Sequence, residues 1–155
     1  MDQKYFPSEV LEYKFAEVNG NQGLLGSIYN MQGVKGDNNA ELVMTLRSFD
    51  KFIDSDSGSF TAENIRNQDL LKRAIRHDIS EGELGELRKA MGKVFIELGE
   101  IYGLPILVWS YAGAEPASTN VLYLDKSSNI VFTLGFVEEN LNYQPYFVDW
   151  AKKAC

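Results

Sequence analysis

The sequence predicts an α+β fold in which about three helices pack on one face of an antiparallel sheet, in the order ββ-ααα-βββ. Three observations indicate this class. Apolar and polar residues alternate over residues 11–15, as in a half-buried strand. Apolar residues recur at three- and four-residue steps in the middle of the chain, and β-branched and aromatic runs follow Pro105. With 155 residues, 45% of them hydrophobic, we expect a single domain over residues 1–155.

The N-terminal segment is expected to form a β-hairpin. Residues 11–15 form its first strand, and the glycines and asparagines of residues 19–23 favour a turn. Residues 24–31 then form the returning strand. A helix over residues 8–18 is the alternative, because Leu11, Phe15 and Val18 also fit a period of 3.6 residues.

Two helices are expected to follow the hairpin. The apolar residues between Leu42 and Ile53 fall on one helical face, with Asn39 available as the N-cap. Thr61 is a suitable cap for the second helix, whose inward residues continue to Ile79. Both helices present a single apolar stripe, so we expect them to cover the same face of the sheet.

The third helix has the clearest signal. Ser80 and Glu83 have the spacing of a capping box, and apolar residues then recur up to Tyr102. Gly103 followed by Pro105 is a typical stop, so we expect this helix over residues 81–102.

Three glycines recur at seven-residue spacing in this predicted helix. Each interior glycine weakens a helix by about 0.8–1 kcal/mol relative to alanine, so their presence needs a reason. A stripe of small residues lets another backbone approach closely. We therefore expect a helix-packing contact or a homodimer contact at Gly85, Gly92 and Gly99.

The C-terminal third is expected to be mainly β-structure. Residues 106–111, 121–124 and 130–137 are β-branched and aromatic runs separated by turn residues, which indicates three successive antiparallel strands. The aromatic stretch after them, residues 142–150, is interrupted by Pro145. In that stretch we expect Phe147 and Trp150 to lie in the core.

No catalytic set is recognisable in the sequence. Residues 54–63 resemble a calcium loop, but glycine and the final glutamate are out of register, so no metal site is expected. His77 is the only histidine, and its neighbour Asp78 would not face it on a helix. Cys155 is the terminal residue and a poor nucleophile candidate. We therefore expect no catalytic residue and no cofactor.

The charge balance predicts the class of partner. The net charge is −7 and the pI is near 4.7, which disfavours nucleic acid and favours a basic protein. Four cations and one anion lie within residues 66–76, where the arginines share one arc of the second helix. As partner-binding residues we select two acidic and two aromatic side chains near the C-terminus, namely Glu138, Glu139, Tyr143 and Tyr146.

These observations favour a non-catalytic, partner-binding protein of the cytoplasm, with no membrane partner. The concrete expectation is a small acidic, stoichiometric inhibitor of the immunity type, acting on a basic bacterial toxin or nuclease. A homodimeric chaperone or adaptor is one alternative. A small hydrolase whose carboxylates assemble only in the fold is the other.

Overall fold

The computed structural model describes residues 5, 7–15, 19–23, 26–34, 41–56, 65–91, 94–111, 119–136 and 142–154. Nine strands and four helices lie within these ranges. The strands are β1 (Glu9–Val10), β2 (Tyr13–Phe15), β3 (Asn19–Gly23), β4 (Gly26–Val34), β5 (Glu41–Ser48), β6 (Val94–Ile101), β7 (Leu104–Tyr111), β8 (Thr119–Asp125) and β9 (Ile130–Phe136). The helices are α1 (Phe49–Asp56), α2 (Ile65–Ile75), α3 (Glu81–Met91) and α4 (Gln144–Ala154).

All nine strands belong to one sheet, and every pairing is antiparallel. The strand order is β1-β2-β4-β5-β9-β8-β7-β6, and β3 also pairs with β4. Strands β6 to β9 form a meander, and β5 joins the meander to the N-terminal strands through β9. Strand β6 therefore ends the sheet on one side.

Two apolar cores separate the helices into two layers. Helices α1, α2 and α3 pack on one face against side chains such as Ile96, Leu107 and Leu122. Helix α4 packs on the opposite face, against residues such as Phe132 and Leu134. The expected α+β class with an antiparallel sheet is confirmed. The expected ββ-ααα-βββ order is not, since α4 covers a second face and additional strands lie between the expected elements.

The expected helix over residues 42–53 is wrong in its first half. Residues 41–48 form strand β5, and α1 begins only at Phe49. The residues of β5 that are buried on the α4 face recur at every second position, as expected for a strand; they are Leu42, Met44 and Leu46. Leu42 and Leu46 fit a helical period as well, and the pairing of β5 with both β4 and β9 decides the outcome.

The expected helix over residues 81–102 is wrong in its second half. Helix α3 ends at Met91, and Val94–Ile101 forms strand β6. Residues Ile101 and Leu104 are paired around a two-residue turn in which Tyr102 and Gly103 have φ of 55° and 75°. Two positive φ values mark a type I′ turn, which matches the twist of a hairpin. Gly103 thus lies in the turn of a hairpin and Pro105 in its second strand, and neither residue ends a helix.

The N-terminal prediction is correct in kind and wrong in detail. Residues 13–15 are extended, as expected, but residues 19–23 form strand β3 paired with β4 and not a turn. Strand β2 pairs with the distal end of β4, where Lys14 lies opposite Val34. The residues expected to form one hairpin therefore fall in three strands, β2, β3 and β4.

The capping box and the three C-terminal strands are confirmed. The Glu83 N–H donates to Ser80 Oγ and the Ser80 N–H donates to Glu83 Oε1, each at 3.2 Å. Strands β7, β8 and β9 are successive and antiparallel. Thr61 lies outside the described residues, as does most of the acidic segment 54–63.

The aromatic C-terminal stretch is a helix, α4, in spite of Pro145. A proline in the first turn of a helix removes an N–H that has no partner within the helix. The side chain of Asn142 accepts a hydrogen bond from the Gln144 N–H at 3.2 Å. Phe147 and Trp150 are fully buried, as expected. No helix in the described part of the chain has both the length and the apolar character needed to cross a bilayer.

Candidate functional site

The arginines of α2 are largely neutralised by α3. Arg66 forms an ion pair with Glu86 at 2.9 Å, and Arg73 forms a bidentate ion pair with Glu83. The Arg73 guanidinium and the hydrogen bonds from Ser80 lower the pKa of Glu83 to about 2. Arg76 lies over the ring of Phe49, with 4.7 Å between the guanidinium carbon and the ring centroid. The cationic arc predicted from the sequence therefore contacts two other helices of the same chain, α3 through Arg66 and Arg73 and α1 through Arg76.

His77 ends helix α2 and does not form a catalytic pair with its neighbour Asp78. The Asp78 N–H donates to the Arg73 carbonyl at 2.8 Å and the His77 N–H donates to the Ala74 carbonyl at 3.0 Å, which is the Schellman pattern. His77 occupies the left-handed position of this motif, with φ of 58°, where glycine is usual. Burial lowers the pKa of its imidazole, and Nε2 is buried without a hydrogen-bond partner.

We expect His77→Gly to raise the free energy of unfolding by roughly 1 kcal/mol. Glycine adopts the left-handed conformation without strain, and its introduction removes the unpaired buried nitrogen. Thermal and urea unfolding of His77→Gly and the control His77→Ala measure the effect. Alanine also removes the imidazole but keeps the backbone strain, so equal stabilities of the two variants would contradict this account of the helix end.

An open cleft lies beside this helix end. It has a volume of about 430 Å³ and is lined by Arg76, Asp78, Leu124, Lys126 and Asn129. Two cations and one carboxylate surround it, and all three residues are exposed. Their charges are partly balanced within the cleft itself. Among the described residues that line the cleft, no nucleophile lies beside a base.

A second groove, of about 320 Å³, lies on the opposite face beside the sheet edge. Its lining residues come from three neighbouring strands and the residue before α4, and they are Phe95, Glu97, Val108, Ser110, Thr119 and Tyr143. The register explains their proximity, since Phe95 lies opposite Ser110 and Glu97 lies opposite Val108. Phe95 is 62% exposed, and it is one of four large apolar side chains exposed in the described part of the chain. Burial raises the pKa of Tyr143, and the Glu97 carboxylate acts in the same direction.

The hairpin geometry fixes which backbone groups face outward at this edge. In a two-residue hairpin the closing residues, Ile101 and Leu104, are hydrogen-bonded to each other. By alternation, the N–H and C=O groups of Ile96, Leu98 and Glu100 point away from β7. Arg88 Nε donates to the Ile96 carbonyl at 2.8 Å. Among the described residues no strand covers Leu98 and Glu100, so the edge is open there.

Of the partner-binding residues selected from the sequence, the two tyrosines have different environments in the structure. Tyr143 lies in the groove and is half-buried. Tyr146 is only 7% exposed, packs against Tyr13 and Phe136, and donates its hydroxyl hydrogen to Glu12. Glu138 and Glu139 lie outside the described residues.

The three glycines expected on one helical stripe do not share an element. Gly85 is on α3, exposed, with open space where a side chain would be. Gly99 is on strand β6, and Gly92 lies outside the described residues. The stripe is therefore wrong as a feature of one helix, because α3 ends at Met91. Phe95 and Glu97 were missed as site residues for the same reason.

Comparison with protein-family models, with curated proteins and with solved structures gives no match for this chain. The site is therefore interpreted from its own chemistry. Within the described ranges, no cluster of three or more histidine, cysteine, aspartate or glutamate side chains is arranged to hold a metal ion. The remaining feature is the open β6 edge, with Phe95, Glu97 and Glu100 exposed along it.

Proposed function

We propose that this chain is a non-catalytic protein that binds a basic partner protein, in the concrete form of a stoichiometric, immunity-type inhibitor of a basic toxin or nuclease. The observation that carries the proposal is the open edge of β6, where an exposed aromatic ring and an acidic side chain line the same groove. Aromatic anchors supply much of the binding energy of protein interfaces. Acidic neighbours select a cationic partner.

The distribution of charge supports the same class of partner. The chain has a net charge of −7, and the ion pairs of Arg66 and Arg73 with α3 use part of its positive charge internally. Glu97 and Glu100 are exposed and, within the described part of the chain, make no ion pair. The β6 edge therefore presents negative charge together with apolar surface.

The mechanism of inhibition would have two steps. Long-range attraction brings the acidic surface to the cationic partner and raises the association rate. Short-range packing around Phe95 and Tyr143 then holds the complex and covers the partner's cationic site. The proposal includes a location in the cytoplasm, where such an inhibitor would block the partner before it acts.

The test is capture of a partner from an extract of the native organism, followed by reconstitution from purified components. We expect the association rate to fall by about tenfold or more between low and physiological salt, because exposed charges are screened over about 8–10 Å. We expect the dissociation rate to change much less. Stopped-flow or surface plasmon resonance measures both rates.

Two double variants locate the charge. Glu97→Gln with Glu100→Gln should slow association several-fold, whereas Asp69→Asn with Glu81→Gln removes the same charge from the helical layer and should have a smaller effect. Glu138→Gln with Glu139→Gln tests the acidic pair selected from the sequence. An acidic partner, or an association rate indifferent to salt, would overturn the proposed function.

A further inference from the structure

We propose that strand β6 binds its partner by strand addition, accepting an extended segment with two basic residues three positions apart and apolar residues between and beside them. The inference rests on the proposed function and names the surface and the form of the partner. An extended peptide that joins an exposed sheet edge gains affinity from main-chain hydrogen bonds. Side chains on alternate positions then supply specificity.

The backbone of β6 provides a short, defined docking ladder. The N–H and C=O groups of Leu98 and Glu100 point outward. The carbonyl of Ile96 also points outward, but it already accepts a hydrogen bond from Arg88. Arg88 thus limits the open ladder to the half of β6 next to the turn. Native sheets often protect their edges with charged side chains, and among the described residues Arg88 is the one that covers an outward backbone group of this edge.

The side chains of β6 on the groove side define what the added strand carries. These residues are Phe95, Glu97 and Gly99. They favour an apolar partner residue opposite Phe95, a basic residue opposite Glu97 and an aromatic residue opposite Gly99. Gly99 is exposed, and an added Cβ there would make only ordinary van der Waals contact with Ile106, at 3.9 Å, so a neighbouring ring has room beside it. An aromatic ring opposite an edge glycine fills such a space.

Charge distinguishes a basic segment from a second copy of this chain. Antiparallel pairing of two β6 strands would place the Glu97 side chains of both copies on one face of the joined sheet and both Glu100 side chains on the other, four carboxylates along one short edge. Like charges on neighbouring strands are destabilising. A segment with lysine or arginine opposite Glu97 and Glu100 replaces this repulsion with attraction.

The probe is a capped six-residue peptide with the sequence lysine-phenylalanine-valine-lysine-threonine-valine. In antiparallel register these residues lie opposite positions 100 to 95 of β6. Titration of the full chain, followed by NMR, should shift signals of β6 and Tyr143 and leave those of α2 unchanged. A peptide with glutamate in place of both lysines should not bind measurably.

Backbone methylation tests strand addition directly. N-methylation of the first valine, opposite Leu98, blocks an N–H that faces β6 and should weaken binding by about tenfold or more. N-methylation of the second lysine, opposite Glu97, blocks an N–H that faces away and should change binding by no more than about twofold. Equal effects of the two modifications would overturn strand addition.

A pair of protein variants gives the matching control. Glu100→Pro removes an outward N–H and a charge, whereas Glu100→Gln removes the charge alone. We expect Glu100→Pro to lose the peptide and Glu100→Gln to weaken it only a few-fold, with near-ultraviolet circular dichroism confirming that both variants are folded. If Glu100→Pro unfolds, the methylated peptides decide the question with the natural chain.

The failure of this inference is distinguishable from failure of the proposed function. A reconstituted basic partner that binds Glu100→Pro as tightly as Glu100→Gln would overturn β6 as the docking strand and leave the function in place. A captured partner that is acidic would overturn the function. An equal response to the lysine and glutamate peptides would overturn the basic character of the segment.

Discussion

Replacing Trp150 with alanine is expected to lower the free energy of unfolding by about 3–5 kcal/mol. The side chain is 0% exposed and stacks on Phe132, with ring centroids 3.9 Å apart and planes within 9°. Tyr123 and Phe147 contact the same indole. Its Nε1–H donates to the Tyr5 carbonyl at 2.9 Å, so alanine leaves a cavity and also removes this buried hydrogen bond.

Two control variants separate these contributions. Trp150→Phe keeps a ring on Phe132 but loses the hydrogen bond, so an intermediate loss is expected. Phe95→Ala removes an equally apolar ring that is 62% exposed, and its effect should stay within about 0.5 kcal/mol. Urea unfolding at equilibrium measures all three variants. A loss for Trp150→Ala no larger than that for Phe95→Ala would contradict the packing of α4 on the sheet.

Helix α4 illustrates what the sequence could and could not predict. The burial of Phe147 and Trp150 was expected from their aromatic character and is confirmed. The helix itself was missed because Pro145 was interpreted as an interruption, although proline is compatible with a first turn. Tyr143 and Tyr146 are the same type of residue. Only the direction in which each side chain points from the start of the helix decides that Tyr143 lies in the groove and Tyr146 in the core.

The two wrong helix predictions have one physical cause. Short apolar segments such as residues 42–46 and 94–98 fit a period of 3.6 and a period of two about equally well. Pairing partners outside the segment then decide, since β5 pairs with the distant β9 and β6 pairs with β7, the next strand of its hairpin. A local signal was nevertheless present, because Val94, Phe95 and Ile96 are β-branched or aromatic residues in succession.

The candidate site depends on that misinterpreted segment. Tyr143 alone was selected from the sequence among the residues that line the groove. Phe95 and Glu97 were assigned to a helix, where they would not share a face with Val108 and Tyr143. The arginines of α2 were recognised as a group, but their pairing with Glu83 and Glu86 depends on how α2 and α3 pack. Such packing contacts between helices cannot be derived from periodicity.

The second large effect is expected in helix α3, at Leu87. Its side chain is 0% exposed and lies in the core between the helical layer and the sheet. Leu87→Ala should lower the free energy of unfolding by about 2–5 kcal/mol, because the packed neighbours relax only partly into the cavity. Chemical denaturation at two wavelengths, reporting on helix and on tertiary structure, measures the loss and checks that unfolding is two-state.

Gly85, two residues earlier on the same helix, provides the matched control with the opposite sign. It is exposed and an added methyl group meets no atom within 4 Å, so Gly85→Ala should raise the stability by about 0.8–1 kcal/mol. Sedimentation of Gly85→Leu tests the dimer contact expected from the glycine spacing. An unchanged sedimentation coefficient together with the stability gain would mean that Gly85 only weakens its helix. Dissociation of a dimer by Gly85→Leu would instead restore α3 as an interface and contradict the assignment of Gly85 to solvent.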